Sequence, residues 1–255
     1  MGGIQTAYGA RRNVCRDVTW PRVPWDQVIP VPSAELRAAD AAARERFGIA
    51  PLQLMEIAAW QLARFVDAWL DGAAGKRVLV VAGSGNNGGD ALCTARFLAQ
   101  RGAALQASVV PAHDPNSLAA YHAATLRQLG VPVYEAPQGI DRSADVIIDG
   151  LLGTGIRPPL RQPAPAIVEA INRSRRPVVA VDVPSGIDAD DGAGQEGAVQ
   201  ASATVMLAAP KAGLKRTTPG GRVFLADIGM PALLFSTARA SLEAVYRIAE
   251  LVELV

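Results

Sequence analysis

Cysteine and histidine are scarce in this chain, with two of each among 255 residues. Cys15 falls in the N-terminal tail and Cys93 in an expected helix. They make neither a metal-ligand spacing nor a disulfide framework, and reduced thiols are the expected state. Net charge is lacking as well. Twenty-five basic and 24 acidic residues leave a formal charge of +1, so no global field draws a nucleic acid or a membrane surface. No run of about 18 apolar residues is present to cross a bilayer. Met1 to Ala10 lack the charged-then-apolar order of a secretory signal. The expectation is a cytoplasmic protein with neither a nucleic-acid nor a membrane partner.

Apolar residues, by contrast, make up 50% of the chain, enough to build a large core without disulfide or metal staples. Residues 1–32 read as an irregular arm, with Pro21, Pro24, Pro30 and Pro32 around Trp20 and Trp25. The two Trp imply that part of the arm packs on a surface. Residues 33–255 read as one domain. A helix starts at Ser33 and ends at Gly48, and Pro51 opens the next. There Leu52, Met55, Ala59, Leu62, Val66 and Trp69 recur at spacings of three and four and form one stripe. Beyond Gly72 apolar strands alternate with helices. Strands are expected at 78–82, 105–110, 131–134, 146–149, 177–183, 203–208 and 223–228. Helices are expected at about 90–100, 116–129, 165–172 and 236–251. Unbroken apolar strands between helices imply a parallel sheet covered on both faces.

Ligands of such a sheet bind beyond the carboxyl ends of its strands, and four post-strand loops stand out. The first is Gly83-Ser84-Gly85-Asn86-Asn87-Gly88-Gly89-Asp90. Its glycines let backbone N–H groups approach an anion, and the following helix offers its positive N-terminus. A tight strand-to-helix turn would explain the glycines alone, but not the paired amides. The second runs from Asp149 to Pro159. An acid ends a buried strand, which is costly without a partner, and Gly153-Thr154-Gly155 and Arg157 could meet a phosphate. The third, Asp182 to Asp188, again opens on a strand-end acid, and an Asx-type turn is the alternative. The fourth, Ala209-Pro210-Lys211, is the weakest of the four. Asn87, Asp149 and Ser185 are hard oxygen donors suited to a hard or monovalent cation. No His or Cys joins the four loops, which points away from zinc, copper and iron there. His113 and His122 are expected on helix surfaces or caps.

The runs GSGNNGGDA, DGLLGTGIRPPL, VVAVDVPSGIDADDG and AAPKAGL followed by ADIGMP resemble the NAD(P)H-hydrate epimerase family, a YjeF N-terminal domain-like fold. So does the opening stretch VPSAELRAADAAARERFGIAPLQLMEIA, and the likeness covers about residues 31–232. It implies a Rossmann-like three-layer α/β/α sandwich with a mostly parallel central sheet. It also implies an isomerase for the C6-hydrated forms of NADH and NADPH, which a separate dehydratase then repairs. It implies K+ held by Asn87, Asp149 and Ser185. The matching substrate-binding residues are Asn86, Asn87, Gly88, Gly89, Asp90, Gly153, Thr154, Gly155, Ile156, Arg157, Pro158, Pro159 and Asp182, and the family leaves room for a homodimer. In the expected mechanism the hydrate loses its hydroxyl with assistance, a ring nitrogen stabilises the cation, and water returns to the other face. Asp182 is the residue expected to donate and accept the proton.

Three positions depart from the family pattern. Ile57 stands where an Asn follows Met-Glu, Ala91 where a Gly follows the NNGGD run, and Ala164 where a Tyr is common. Ile57 is expected to replace an amide near the pocket and so to reshape substrate recognition or abolish the family's reaction. Two rival readings follow: a non-catalytic nucleotide-binding or assembly module of the same fold, and an enzyme for a different nucleotide-type ligand.

Overall fold

In the computed structural model, residues 20–140, 142–217 and 220–255 are described. The strands are β1 (Arg22–Val23), β2 (Arg77–Ala82), β3 (Ala104–Val109), β4 (Val133–Glu135), β5 (Val146–Gly150), β6 (Val178–Val181), β7 (Ala203–Leu207), β8 (Arg222–Ala226) and β9 (Leu251–Leu254). The α-helices are α1 (Ser33–Phe47), α2 (Pro51–Trp69), α3 (Asn86–Gln100), α4 (Leu118–Gln128), α5 (Ala164–Ser174) and α6 (Arg239–Ile248). The strands make one nine-stranded sheet in the order β1-β9-β8-β7-β6-β5-β2-β3-β4. Every pairing is parallel except β8 with β9. The expected mostly parallel α/β fold is therefore the one formed.

Side chains alternate between the two faces of a strand, and β2 shows why its sequence is apolar without a break. Val78, Val80 and Ala82 enter the core that also holds Leu62, Phe65 and Val66 of α2. Leu79 and Val81 enter the opposite core with Ile167, Val168 and Ile171 of α5. Both faces are covered, so neither tolerates a polar residue.

Three elements differ from the sequence expectation. Helix α3 begins at Asn86, four residues before the expected start, so the Asn-Asn-Gly-Gly run is its first turn rather than a loop. Glycine disfavours helix interiors by about 1 kcal/mol, yet tertiary contact demands it here. A Cβ on Gly88 would stand 2.0 Å from the Gly83 carbonyl oxygen, and one on Gly89 would stand 2.6 Å from the Met55 methyl. The expected terminal helix stops at Ile248, and Leu251–Leu254 turn back as strand β9 beside β8. A short apolar run fits either period, and only the open edge of β8 selects strand. Strand β1 was not expected at all. It pairs with β9, while Trp20 packs its ring against Phe65 and Phe224 at 5.0 and 5.1 Å. Cys15 lies outside the described residues. Among the described residues no helix is long and apolar enough to cross a membrane.

Candidate functional site

The chain runs outward from β2 to β3 and β4, then returns to place β5 on the other side of β2. That reversal opens a crevice at the carboxyl ends of β2 and β5, the place where such sheets bind ligands. The two loops that flank it press together. Gly83 donates its N–H to the Gly150 carbonyl at 3.1 Å, and a Cβ on Gly83 would stand 1.9 Å from the Leu151 carbonyl oxygen. Glycine is required there by backbone contact.

A cleft of about 300 Å³ lies over this edge. Its lining includes Asp40 of α1, Met55 of α2, Asn86, Asn87 and Asp90 of α3, Gly153 to Gly155 after β5, Asp182 after β6, and Lys211 beyond β7. Asp182 adopts φ +66° and Ala208 φ +64°. Non-glycine residues hold that conformation only where the surroundings impose it, and such strain gathers at functional sites. Here the imposition is visible. The Asp182 Oδ1 accepts the Leu207 N–H at 2.9 Å and the ammonium of Lys211. Lys211, only 1% exposed, also donates to the Leu207 carbonyl at 2.6 Å. The cluster thus holds a buried ammonium against a carboxylate that faces the cleft.

Asp90 is the second acid of the cleft. Burial first, then the charges of Asp182 and Asp40, push its carboxyl well above the usual carboxylate range, while Lys211 opposes them weakly. Asp40 at the rim is raised too, by burial and then by Asp182. One acid that favours its proton therefore stands near a carboxylate ion-paired to lysine.

Below the cleft, Asp149, the penultimate residue of β5, is fully buried. It accepts hydrogen bonds from the Ser185 N–H at 2.8 Å, the Ser185 hydroxyl at 2.7 Å and the Leu151 N–H at 3.2 Å. Burial lifts its carboxyl to about 6 even so. No basic side chain pairs with it among the described residues. The Asn87 amide donates to the Leu152 carbonyl at 2.7 Å, and the Leu152 N–H donates to the Ser185 hydroxyl at 2.8 Å. The oxygens of Asp149, Ser185 and Leu152 and the amide nitrogen of Asn87 thus belong to one network beside the first turn of α3.

The residues predicted from sequence do not all meet. Asn86, Asn87, Asp90, Gly153, Thr154, Gly155 and Asp182 line the cleft. Gly88 and Gly89 are buried behind it as packing elements. Ile156 and Arg157 line no cavity among those described. The Arg157 guanidinium is held by Asp188 and Asp190 at 2.6 and 3.1 Å, which ties the second loop to the third. Pro158 and Pro159 line a separate cavity of about 640 Å³ with Gly186 and residues 192–197.

Ile57 is exposed beside Gly229 and lies outside the cleft lining, contrary to the expectation that it reshapes the pocket. Ala91 is buried, its methyl set against Gly150. Ala164 packs in the core under α5. His122 is buried rather than on a surface. Sequence reasoning undervalued Lys211 and missed Asp40. A lone lysine and an acid on an amphipathic helix carry no local signal of what they face.

Residues 51–213 match the sequence model of a family described as YjeF-related protein N-terminus. The chain is 32% identical over 213 residues to the NAD(P)H-hydrate epimerase of Rhodopirellula baltica, covering 80% of this chain and 86% of that protein. It is 38% identical over 203 residues to the NAD(P)H-hydrate epimerase of Limosilactobacillus fermentum, covering 77% and 95%. It is also 38% identical over 211 residues to the bifunctional NAD(P)H-hydrate repair enzyme of Hyperthermus butylicus, where the match takes in 79% of this chain but spans only 38% of the relative. Among solved structures, the yeast protein ynu0 superposes with a TM-score of 0.71 at 26% identity, over 78% of this chain and 88% of that one.

Proposed function

The chain belongs to the YjeF-related N-terminal family, and on that premise we propose that it is an isomerase that epimerises the C6-hydrated forms of NADH and NADPH. The observation that carries this reading is the acid pair over the cleft. Asp90 favours its protonated form, and Asp182 is ion-paired to buried Lys211. Departure of the hydroxyl needs a proton at the leaving oxygen, and Asp90 is the group that holds one. The ring cation that remains needs a nearby negative charge, and Asp182 supplies it. When water returns to the opposite face it releases one proton, which goes back to Asp90 directly or by way of Asp182 and restores the acid for the next cycle. This assignment shares between two acids the work first given to Asp182 alone. The α3 N-terminus, with Asn86 and Asn87 in its first turn, suits the anionic part of a nucleotide.

The Asp149 network fits a monovalent cation. A fully buried carboxylate with neutral oxygens around it and no basic partner among the described residues lacks only a positive charge. Asn87, Asp149 and Ser185 would hold K+, which when bound neutralises Asp149 and fixes the loops that follow β5 and β6. The product hydrate epimer is the substrate of a dehydratase, and the bifunctional relatives place a partner activity in the same repair task.

The test is direct interconversion of the two hydrate epimers, followed by proton NMR, in potassium and in choline buffers. Exchange faster than the protein-free rate, and faster in potassium, is the expected result. Folded protein with no acceleration in either buffer refutes the reading.

A further inference from the structure

We propose that Glu56, Cys93 and His122 form a binding site for a divalent transition-metal cation of the zinc class. The three come from three helices, α2, α3 and α4, and none lines the cleft. One ligand atom from each lies within 4.8 Å of the others. The spacing along the chain conceals this group, because only the packing of α3 between α2 and α4 assembles it.

The donor set is specific. A sulfur, an imidazole nitrogen and a carboxylate oxygen suit zinc and its neighbours, and do not suit magnesium or calcium. The second observation is independent of the spacing. Both ring nitrogens of His122 are sealed from solvent and have no hydrogen-bond partner among the described residues. A buried imidazole ordinarily satisfies at least one nitrogen, and a bound ion is one of the recognised explanations for an orphan. A third observation concerns charge. The guanidinium of Arg96 is ion-paired to Glu56 and reaches the Cys93 sulfur at 3.8 Å. A cation therefore already stands beside two of the three ligands, and its own Nε is buried without a partner.

Metal entry requires little movement. Ligand atoms in a tetrahedral shell with bonds of about 2.0–2.3 Å stand about 3.5 Å apart, so closure by about 1 Å from side-chain rotation suffices. Arg96 must withdraw. Its side chain is partly exposed and lies over the Phe97 ring at 4.3 Å, a contact available on the way to solvent. In the binding step the Cys93 S–H bond breaks, its proton goes to solvent, and a sulfur–metal bond forms. Water completes the shell. The bound ion would clip α2, α3 and α4 together, and α3 carries Asn86, Asn87 and Asp90 in the turns just before Cys93. The inference does not rest on the epimerase reading.

The experiment uses the full chain, stripped with a chelator and titrated calorimetrically with Zn(II), with Mg(II) as the contrast. Stoichiometric Zn(II) binding, absent for Mg(II), and a rise in Tm are expected. Affinity should fall at least tenfold in Cys93→Ser and in His122→Gln, and should be unchanged in Cys15→Ser. Arg96→Ala should bind more tightly than the parent, because the competing cation is gone. Co(II) added to the unmodified chain should show a thiolate-to-metal charge-transfer band, which needs no variant to fold. Absence of that band, failure to bind Zn(II), or loss of binding in Cys15→Ser alone would overturn the site.

Discussion

Replacing Lys211 with methionine keeps the length and the apolar stem of the side chain and removes only its ammonium. In the native protein that ammonium is bonded to the Asp182 carboxylate and to the Leu207 carbonyl, with the lysine side chain 2% exposed and the aspartate 15%. Breaking a buried ion pair from one side costs about 3–5 kcal/mol, because a charge is left behind. Asp182 keeps the Leu207 N–H bond at 2.9 Å and faces the cleft, so water can relieve part of that cost. The Leu207 carbonyl loses a donor, which adds about 1 kcal/mol. The expected loss is about 3 kcal/mol, or a fall in Tm of roughly 6–12 °C at about 2–4 °C per kcal/mol for a chain of this size. Thermal and urea unfolding of the parent, Lys211→Met, Asp182→Asn and the double variant measure the coupling directly. The double variant should be less damaged than the two single changes summed, by at least about 1.5 kcal/mol. Additivity within about 0.5 kcal/mol would show that the pair is not the unit described here.

Other outcomes follow from the same geometry. Asp90→Asn keeps a neutral polar group where burial already favours the protonated acid, so Tm should hold while turnover of the hydrate falls by about 10²- to 10⁴-fold; turnover within threefold of the parent removes Asp90 as the acid. Asp149 titrates from 3.8 in the open chain to about 6 in the fold, so the folded state binds its proton more tightly, and stability declines as pH rises through that window and levels off above it. A cation held by ionised Asp149 offsets this decline, so KCl should raise Tm over choline chloride at neutral pH but not at pH near 3.8. Equal Tm values in the two salts, or a potassium effect that survives Asp149→Asn, would count against the K+ assignment. Gly83→Ala forces a methyl to within 1.9 Å of the Leu151 carbonyl oxygen, and because the obstacle is backbone the cost should reach about 3 kcal/mol or more; an alanine variant as stable as the parent contradicts the close approach of the two loops.

Much of the fold could be read along the chain because its cause is local in sequence. The β2, β5, β6 and β7 segments are mainly apolar and buried on both faces, and the buried polar residues Asp149 and Thr204 are each hydrogen-bonded. Pro51 and Gly48 marked helix boundaries through their own backbone preferences. Where the reading failed, the deciding contact was remote. Leu251–Leu254 became a strand because β8 offers an edge some 25 residues earlier in the chain. Asn86 to Gly89 form the first turn of α3, where Gly83 and Met55 crowd positions 88 and 89 and leave room only for glycine.

The same division holds for the site. The order of motifs named the family and the residues at the strand ends, since a glycine, an amide or an acid at such a place is decided by the backbone that carries it. What those residues face was settled only by packing. Lys211 lies buried against Asp182 across the β6–β7 boundary. Arg157 is occupied by Asp188 and Asp190. Glu56, Cys93 and His122 meet although 37 and 29 positions separate them along the chain. Charge and hydrogen bonding act through distance in space, and a linear chain does not record those distances until helices and sheet have closed on one another.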